Sequence, residues 1–220
     1  MNKTIAVTLS ILFLASVATY LVCTAEDTIY LQNANYKLMV DMYDSYKTDS
    51  ARIVMLGDSH IQNVNWSELL GDNTVIGRGI RGDIVPGVLN RVYQVYSLQP
   101  STCIIMVGIN DIYANYSLQQ LCNNYTKLLE QLHEHHITPI VCSTLYVCES
   151  YTDSKTTNTK VHELNTSLQE YCTKNSITFI DLNNRLSTHG YLDPKFSIDG
   201  IHCNAAAYRI WREELTPYIK

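Results

Sequence analysis

The sequence predicts an α/β domain built on a parallel sheet, and three observations predict it. Five short runs, 52–57, 74–79, 102–108, 137–143 and 176–181, are apolar at successive positions rather than at alternate ones, the pattern of strands covered on both faces. Segments with helical periodicity fall between them, and strands alternating with helices assemble into one parallel sheet through right-handed crossovers. The composition agrees: 220 residues, 46% hydrophobic and 17% charged, suit one domain with a substantial core.

Each helix is marked by its spacing. Val85, Val88, Leu89, Val92 and Val95 form one apolar stripe, Leu118, Leu121, Tyr125, Leu128 and Leu132 a second, and Val161, Leu164, Leu168 and Tyr171 a third. Intervals of three and four residues put each set on one helix face, turned toward the sheet. A closing helix over 205–218 carries Tyr208, Ile210, Trp211 and Leu215, and an opening helix over 34–46 carries Leu38, Met39 and Met42. Residues 143–158 read as a long polar loop after the fourth strand.

Residues 1–25 stand apart. Asn2 and Lys3 precede an uncharged apolar run from Ile5 to Val22, the n-region and h-region of an export signal. Cleavage is expected after Ala18 or Ala25, with an uncleaved membrane anchor as the alternative, since the run approaches the length of a spanning helix. Either way residues 26–220 form the folded domain, and the expected location is outside the cytoplasm: secreted, periplasmic or at the cell surface. The only membrane contact this predicts is through the N-terminal segment.

The net charge is −5 and no block of Lys or Arg occurs, so the electrostatic footprint of a nucleic-acid binder is missing. Of the seven cysteines, Cys103 and Cys142 lie inside apolar runs and read as small hydrophobes. Cys148 and Cys203 are open to either reading, and spacing alone pairs none of them. The HEHH run from His133 to His136 departs from the metalloprotease spacing because position 137 is Ile; a polar helix C-terminus explains it better. Metal-dependent phosphoester cleavage would need clustered carboxylates and histidines.

Ligands of open parallel sheets bind beyond the carboxyl ends of the strands, so the strand-ending residues matter most. The first strand ends in Gly57-Asp58-Ser59, the second in GRGIRGD (77–83), the third in Gly108-Ile109-Asn110-Asp111, and Asp199-Gly200-Ile201-His202 precedes the last helix. A serine at a strand-to-helix turn becomes a nucleophile when a base lies within hydrogen-bond reach and a third group orients that base. His202 is the expected base and Asp199 its orienting partner. The oxyanion of a tetrahedral intermediate needs donors, and the expected ones are the Ser59 and Gly82 backbone N–H groups and the Asn110 amide.

These four blocks, in this order, resemble the SGNH/GDSL hydrolase family, and the similarity runs from about Arg52 to the C-terminus. The subgroup they look most like contains compact enzymes of the platelet-activating-factor acetylhydrolase type and bacterial acylesterases. The resemblance implies a flavodoxin-like three-layer α/β/α sandwich with five strands ordered 2-1-3-4-5. It also implies ester hydrolysis without metal or cofactor, and it assigns the oxyanion donor of the second block to Gly82, leaving Gly79 as a tight-packing or turn glycine.

Three substrate and function readings follow. The first is a serine esterase acting on small acyl esters, acetylated glycans foremost; the second a lipid-directed esterase or lysophospholipase; the third a non-catalytic binding protein on the same fold. Asp111 reads as a capping or turn residue, and Trp66 as a helix packing residue in preference to a pocket wall. Arg78 and Arg81 read as contacts to an anionic or sugar substrate, or as surface ion pairs. His60, which follows the serine where the family's commonest form differs, reads as a pocket-lining or solvent-facing side chain. It has no acidic partner at the spacing that Asp199 has to His202.

Overall fold

The computed structural model describes residues 28–219. The expected signal or anchor over 1–25, and Cys23 with it, lie outside them. No helix among the described residues is long and apolar enough to cross a membrane.

Five parallel strands form the central sheet: β1 (Ile53–Gly57), β2 (Val75–Gly79), β3 (Thr102–Met106), β4 (Thr138–Cys142) and β5 (Thr178–Ile180). Their order is β2-β1-β3-β4-β5, as expected. Because strand side chains alternate between faces, the two faces use interleaved residues. Val54, Leu56, Cys103, Ile105 and Val141 enter one core, while Ile53, Met55, Ile104, Met106, Ile140 and Cys142 enter the other. Both faces are dry, which is why the strands read as unbroken apolar runs.

The first core is covered by α4 (Val85–Asn90), α5 (Tyr93–Tyr96), α7 (Leu118–Glu134) and α8 (Ser154–Lys174). Ser117 and Gln120 form a capping box at the start of α7, satisfying amides that have no partner within the helix. The second core is covered by α2 (Ser59–Gln62), α3 (Trp66–Leu70), α9 (Asn183–Leu186) and α10 (Ala205–Leu215). There Trp66, Tyr208 and Trp211 pack ring against ring, with Trp66 and Trp211 centroids 5.1 Å apart. Trp66 Nε1 donates to the Ile61 carbonyl at 2.8 Å, so the indole that packs α3 also holds the end of α2.

Four local expectations change. The opening helix, α1 (Ala34–Ser45), buries Tyr36 and leaves Leu38 and Met42 exposed. Its tyrosines supply the inward face, with the Tyr36 and Tyr43 hydroxyls donating to the Gly87 and Gly79 carbonyls. The single stripe over 85–95 is two short helices, and the first ends at Asn90, just before Arg91, whose side chain is wholly buried. The loop after β4 is shorter than expected because α8 begins at Ser154. The closing helix ends at Leu215, passing into a short 3-10 turn that contains Pro217. Cys103, Cys122, Cys142, Cys148, Cys172 and Cys203 are all free, and Cys148 and Cys203 are buried.

Candidate active site

Register brings the strand ends together. Gly57 pairs with Gly79 on one side and with Met106 on the other, so β1, β2 and β3 leave the sheet at one level. Asp58-Ser59, Ile80–Asp83 and Val107–Asn110 therefore share one rim. A Cβ on Gly79 would collide with the Ile61–Gln62 backbone, so the packing glycine of the second block lets the serine helix lie against the sheet.

Ser59 opens α2, and Asp58 caps it by accepting the His60 N–H at 3.0 Å. As the first helical residue, Ser59 has an N–H without an intrahelical acceptor. Asp199 and His202 come from the segment after β5. Ser59 Oγ lies 3.1 Å from His202 Nε2, and His202 Nδ1 lies 2.6 Å from Asp199 Oδ2. The other Asp199 oxygen accepts the Ile201 and His202 N–H groups. Burial pushes the Asp199 carboxyl up, but hydrogen bonds from the His202 backbone, the His202 ring and the Ile201 backbone outweigh it and bring the pKa to about 2. A carboxylate facing Nδ1 holds the ring proton there and leaves the Nε2 lone pair turned toward Ser59. Asp199 does not cap the last helix; Asn204 does, accepting the Ala206 and Ala207 N–H groups.

The other two blocks are cross-linked. Asp83 N–H donates to the Ile80 carbonyl, closing a turn in which Gly82 has φ +74°, a left-handed conformation that favours glycine. The Asn33 amide and the Gln62 side chain hold the same turn through the Arg81 carbonyl and N–H. Asn110 Nδ2 donates to the Asp83 carbonyl at 3.0 Å, using one amide hydrogen and leaving the second. Asp111, wholly buried, accepts the Val85 N–H; this is the capping role expected of it, and it fixes the third block to the second. Ser59, Gly82, Asn110, Asp199 and His202 thus stand at one edge of the sheet.

Arg78 and His60 differ from expectation. Arg78 is buried beneath α1, its guanidinium over the Tyr43 and Tyr46 rings, away from the rim. Arg81 is at the rim: its Nη2 donates to Asn63 Oδ1, and its Nη1 lies 3.4 Å from His202 Nε2. His60 is 2% exposed and neither faces solvent nor lines an open pocket. Its acidic partner is Asp58, two residues earlier, with Nδ1 3.3 Å from Oδ1; a spacing of three had hidden a partner at two.

Beside this rim lies an open cleft of about 480 Å³ whose walls include Ile112, Tyr113, Tyr151, Asp153, Thr156 and Lys160. Tyr113 ends α6 (Ile109–Tyr113), the helix that carries Asn110. The Tyr151 ring packs on Gly200, inside the Asp199–His202 segment. The two tyrosine rings are 6.3 Å apart.

The chain is similar in fold to a GDSL-like lipase from Bacteroides thetaiotaomicron, at 23% identity and a TM-score of 0.74, covering 84% of this chain and 97% of that one. It is similar again to a variant of an acetyl-xylooligosaccharide esterase from Geobacillus Stearmophilus, at 16% identity and a TM-score of 0.62, covering 79% and 96%. Among curated proteins it is 25% identical over 142 residues to an N-acylneuraminate cytidylyltransferase of Streptococcus agalactiae. That match covers 61% of this chain and 34% of the relative, so the chain spans about a third of its length. The model of the GDSL-like lipase/acylhydrolase family matches residues 55–210, from within β1 into α10 and so across all four blocks. The chain belongs to that family.

Proposed function

We propose that the protein is a serine esterase that removes small acyl groups, acetyl foremost, from carbohydrate esters. Ser59 is the nucleophile, His202 the general base and acid, and Asp199 the group that orients it. The observation that carries this reading is the unbroken relay from Asp199 Oδ2 through the His202 ring to Ser59 Oγ.

Nε2 takes the Ser59 proton as Oγ bonds to the acyl carbon, and the carbonyl electron pair moves onto oxygen. The Ser59 and Gly82 N–H groups and the free Asn110 amide hydrogen receive that oxyanion. Collapse breaks the bond to the alcohol, which leaves with the proton held on Nε2. Water then bonds to the acyl carbon and gives a proton to Nε2; the second collapse breaks the bond to Oγ, which takes that proton back from Nε2 as the acid leaves, restoring Ser59. Arg81 Nη1 and Ser59 Oγ both face His202 Nε2, at 3.4 and 3.1 Å.

The carbohydrate assignment rests on the cleft beside the site. Tyrosine offers an apolar ring face with a hydroxyl tip, and Asp153, Thr156 and Lys160 line the same space. That mixture suits a polyhydroxylated alcohol better than an alkyl chain. The fold's likeness to an acetyl-xylooligosaccharide esterase points the same way.

A panel of esters tests the reading. Hydrolysis of p-nitrophenyl acetate and acetylated oligosaccharide, with little turnover of a long-chain ester, is expected; strong preference for the long chain would overturn it in favour of a lipid substrate. Tyr113→Ala, which removes the exposed ring of the cleft, is expected to raise KM for the acetylated oligosaccharide about tenfold, for roughly 1.4 kcal/mol of lost binding, with p-nitrophenyl acetate little changed. Equal effects on both substrates would separate the cleft from sugar binding. Asn110→Ala is expected to lower kcat by about 10²–10³-fold with KM little changed, the usual cost of one oxyanion donor; steady-state kinetics on p-nitrophenyl acetate measures it.

A further inference from the structure

His60 sits between the two halves of the relay. It follows Ser59, on the helix that carries the nucleophile, yet its ring points across to the segment that carries the base. Nε2 lies 3.0 Å from the carbonyl oxygen of Ile201, the residue before His202. A carbonyl only accepts, so Nε2 carries a proton. Nδ1 faces Asp58 Oδ1, the same oxygen that accepts the His60 backbone N–H; as an acceptor, it places a second proton on Nδ1.

The base-bearing segment hangs from three successive carbonyls. Gly200 O accepts the Cys148 N–H, and His202 O accepts from the Ile198 N–H and the Ser197 hydroxyl. Those contacts tie it to the loop after β4 and to itself. Ile201 O is bound to His60, and so to the nucleophile's own helix. From the other side, the Tyr208 hydroxyl donates to the His60 carbonyl at 2.7 Å, joining α10 to the same residue.

We propose that His60 is a positioning residue: an imidazolium clamped between the Asp58 carboxylate and the Ile201 carbonyl, it sets the spacing between Ser59 and His202. The titratable groups around the ring are Asp58 from its own turn, His202 and Cys203 from the base-bearing segment, and Tyr208 from α10. Burial opposes the charge, and the hydrogen bonds to Asp58 and the Cys203 thiol outweigh it, lifting the pKa well above the ordinary histidine value. The clamp acts on geometry alone and forms no bond to substrate. Its kinetic consequence rests on the Ser59–His202 reading; its protonation state does not.

Two variants and one spectrum test it. His60→Gln keeps an amide donor able to reach Ile201 O, whereas His60→Leu has none. His60→Leu is expected to lower kcat on p-nitrophenyl acetate about a hundred-fold with KM nearly unchanged, the scale set by a misplacement of about 1 Å. His60→Gln is expected to restore most of that loss. Equal losses in the two variants, or full activity in His60→Leu, would overturn the proposal. Independently of any variant, nitrogen NMR of the wild type near pH 8, above the usual histidine range, is expected to show protons on both His60 ring nitrogens. A singly protonated ring would overturn the clamp even if the leucine variant fails to fold. Failure of a fluorophosphonate to label the folded wild type would instead strike the Ser59 reading and leave the NMR result standing.

Discussion

Replacing Ser59 with alanine is expected to lower kcat for p-nitrophenyl acetate by about a million-fold, the loss typical of removing the nucleophile from a serine relay. The substitution deletes one oxygen whose partner is His202 Nε2, and His202 keeps its contact with Asp199. No buried charge is orphaned, so the unfolding free energy is expected to change by less than about 1 kcal/mol. That separation of stability from activity is the useful part of the result. The Ser59 and Gly82 amides and Asn110 remain in place, so a residual rate of roughly 10³–10⁴-fold over water is expected from oxyanion stabilisation and binding alone. Intact mass after fluorophosphonate treatment supplies the companion measurement: one adduct on wild type, none on the variant. Activity within tenfold of wild type, in a variant of unchanged melting temperature, would place the nucleophile elsewhere.

The parts of this site legible in the sequence are those whose chemistry is local. Gly57-Asp58-Ser59 announces itself because four apolar residues run straight into a polar turn, and Asp199 and His202 because the orienting carboxylate needs only the three-residue spacing to reach the ring. The strand positions were legible for a related reason, since β1, β3 and β4 are buried on both faces and leave no polar interruption. What escaped depends on contacts between distant segments. His60 meets Ile201 across 141 positions, and no spacing encodes that. Arg78 and Arg81 look alike in the second block, but alternation along β2 turns one beneath the α1 tyrosines while the turn aims the other at His202. The tyrosine cleft was invisible for the same reason: Tyr113 and Tyr151 belong to different crossovers, and sixteen tyrosines spread along the chain conceal which two converge. Arg91 lies between the stripe residues Leu89 and Val92, and only the fold reveals that its side chain is buried at the end of α4.

Arg91→Met is accordingly expected to cost about 3–5 kcal/mol of unfolding free energy, the penalty for removing one member of a buried ion pair. The Arg91 and Asp83 side chains are both fully buried, with Nε 2.8 Å from Asp83 Oδ2. The two remaining guanidinium nitrogens donate to the Arg78 and Gly57 carbonyls, at the carboxyl ends of β2 and β1. Burial already pushes the Asp83 carboxyl up to about 6 even with the guanidinium against it. Without that cation the acid moves further up and takes a proton near neutral pH. A carboxyl whose folded pKa lies above its unfolded one stabilises the fold below the unfolded value and loses that contribution as pH rises through the folded value. The deficit of Arg91→Met relative to wild type is therefore expected to be larger at pH 8 than at pH 5, read from urea midpoints at matched slope. Adding Asp83→Asn removes the stranded charge and is expected to recover most of the difference at pH 8. Gly57 O still accepts the Ile80 N–H, so the carbonyls account for the smaller share. If the double variant recovers nothing, the cost lies in those carbonyl bonds instead of in the charge. Either way the pair matters to the chemistry as well as to the fold: it holds the peptide that leads into Asp58-Ser59 and the residue whose carbonyl positions Asn110.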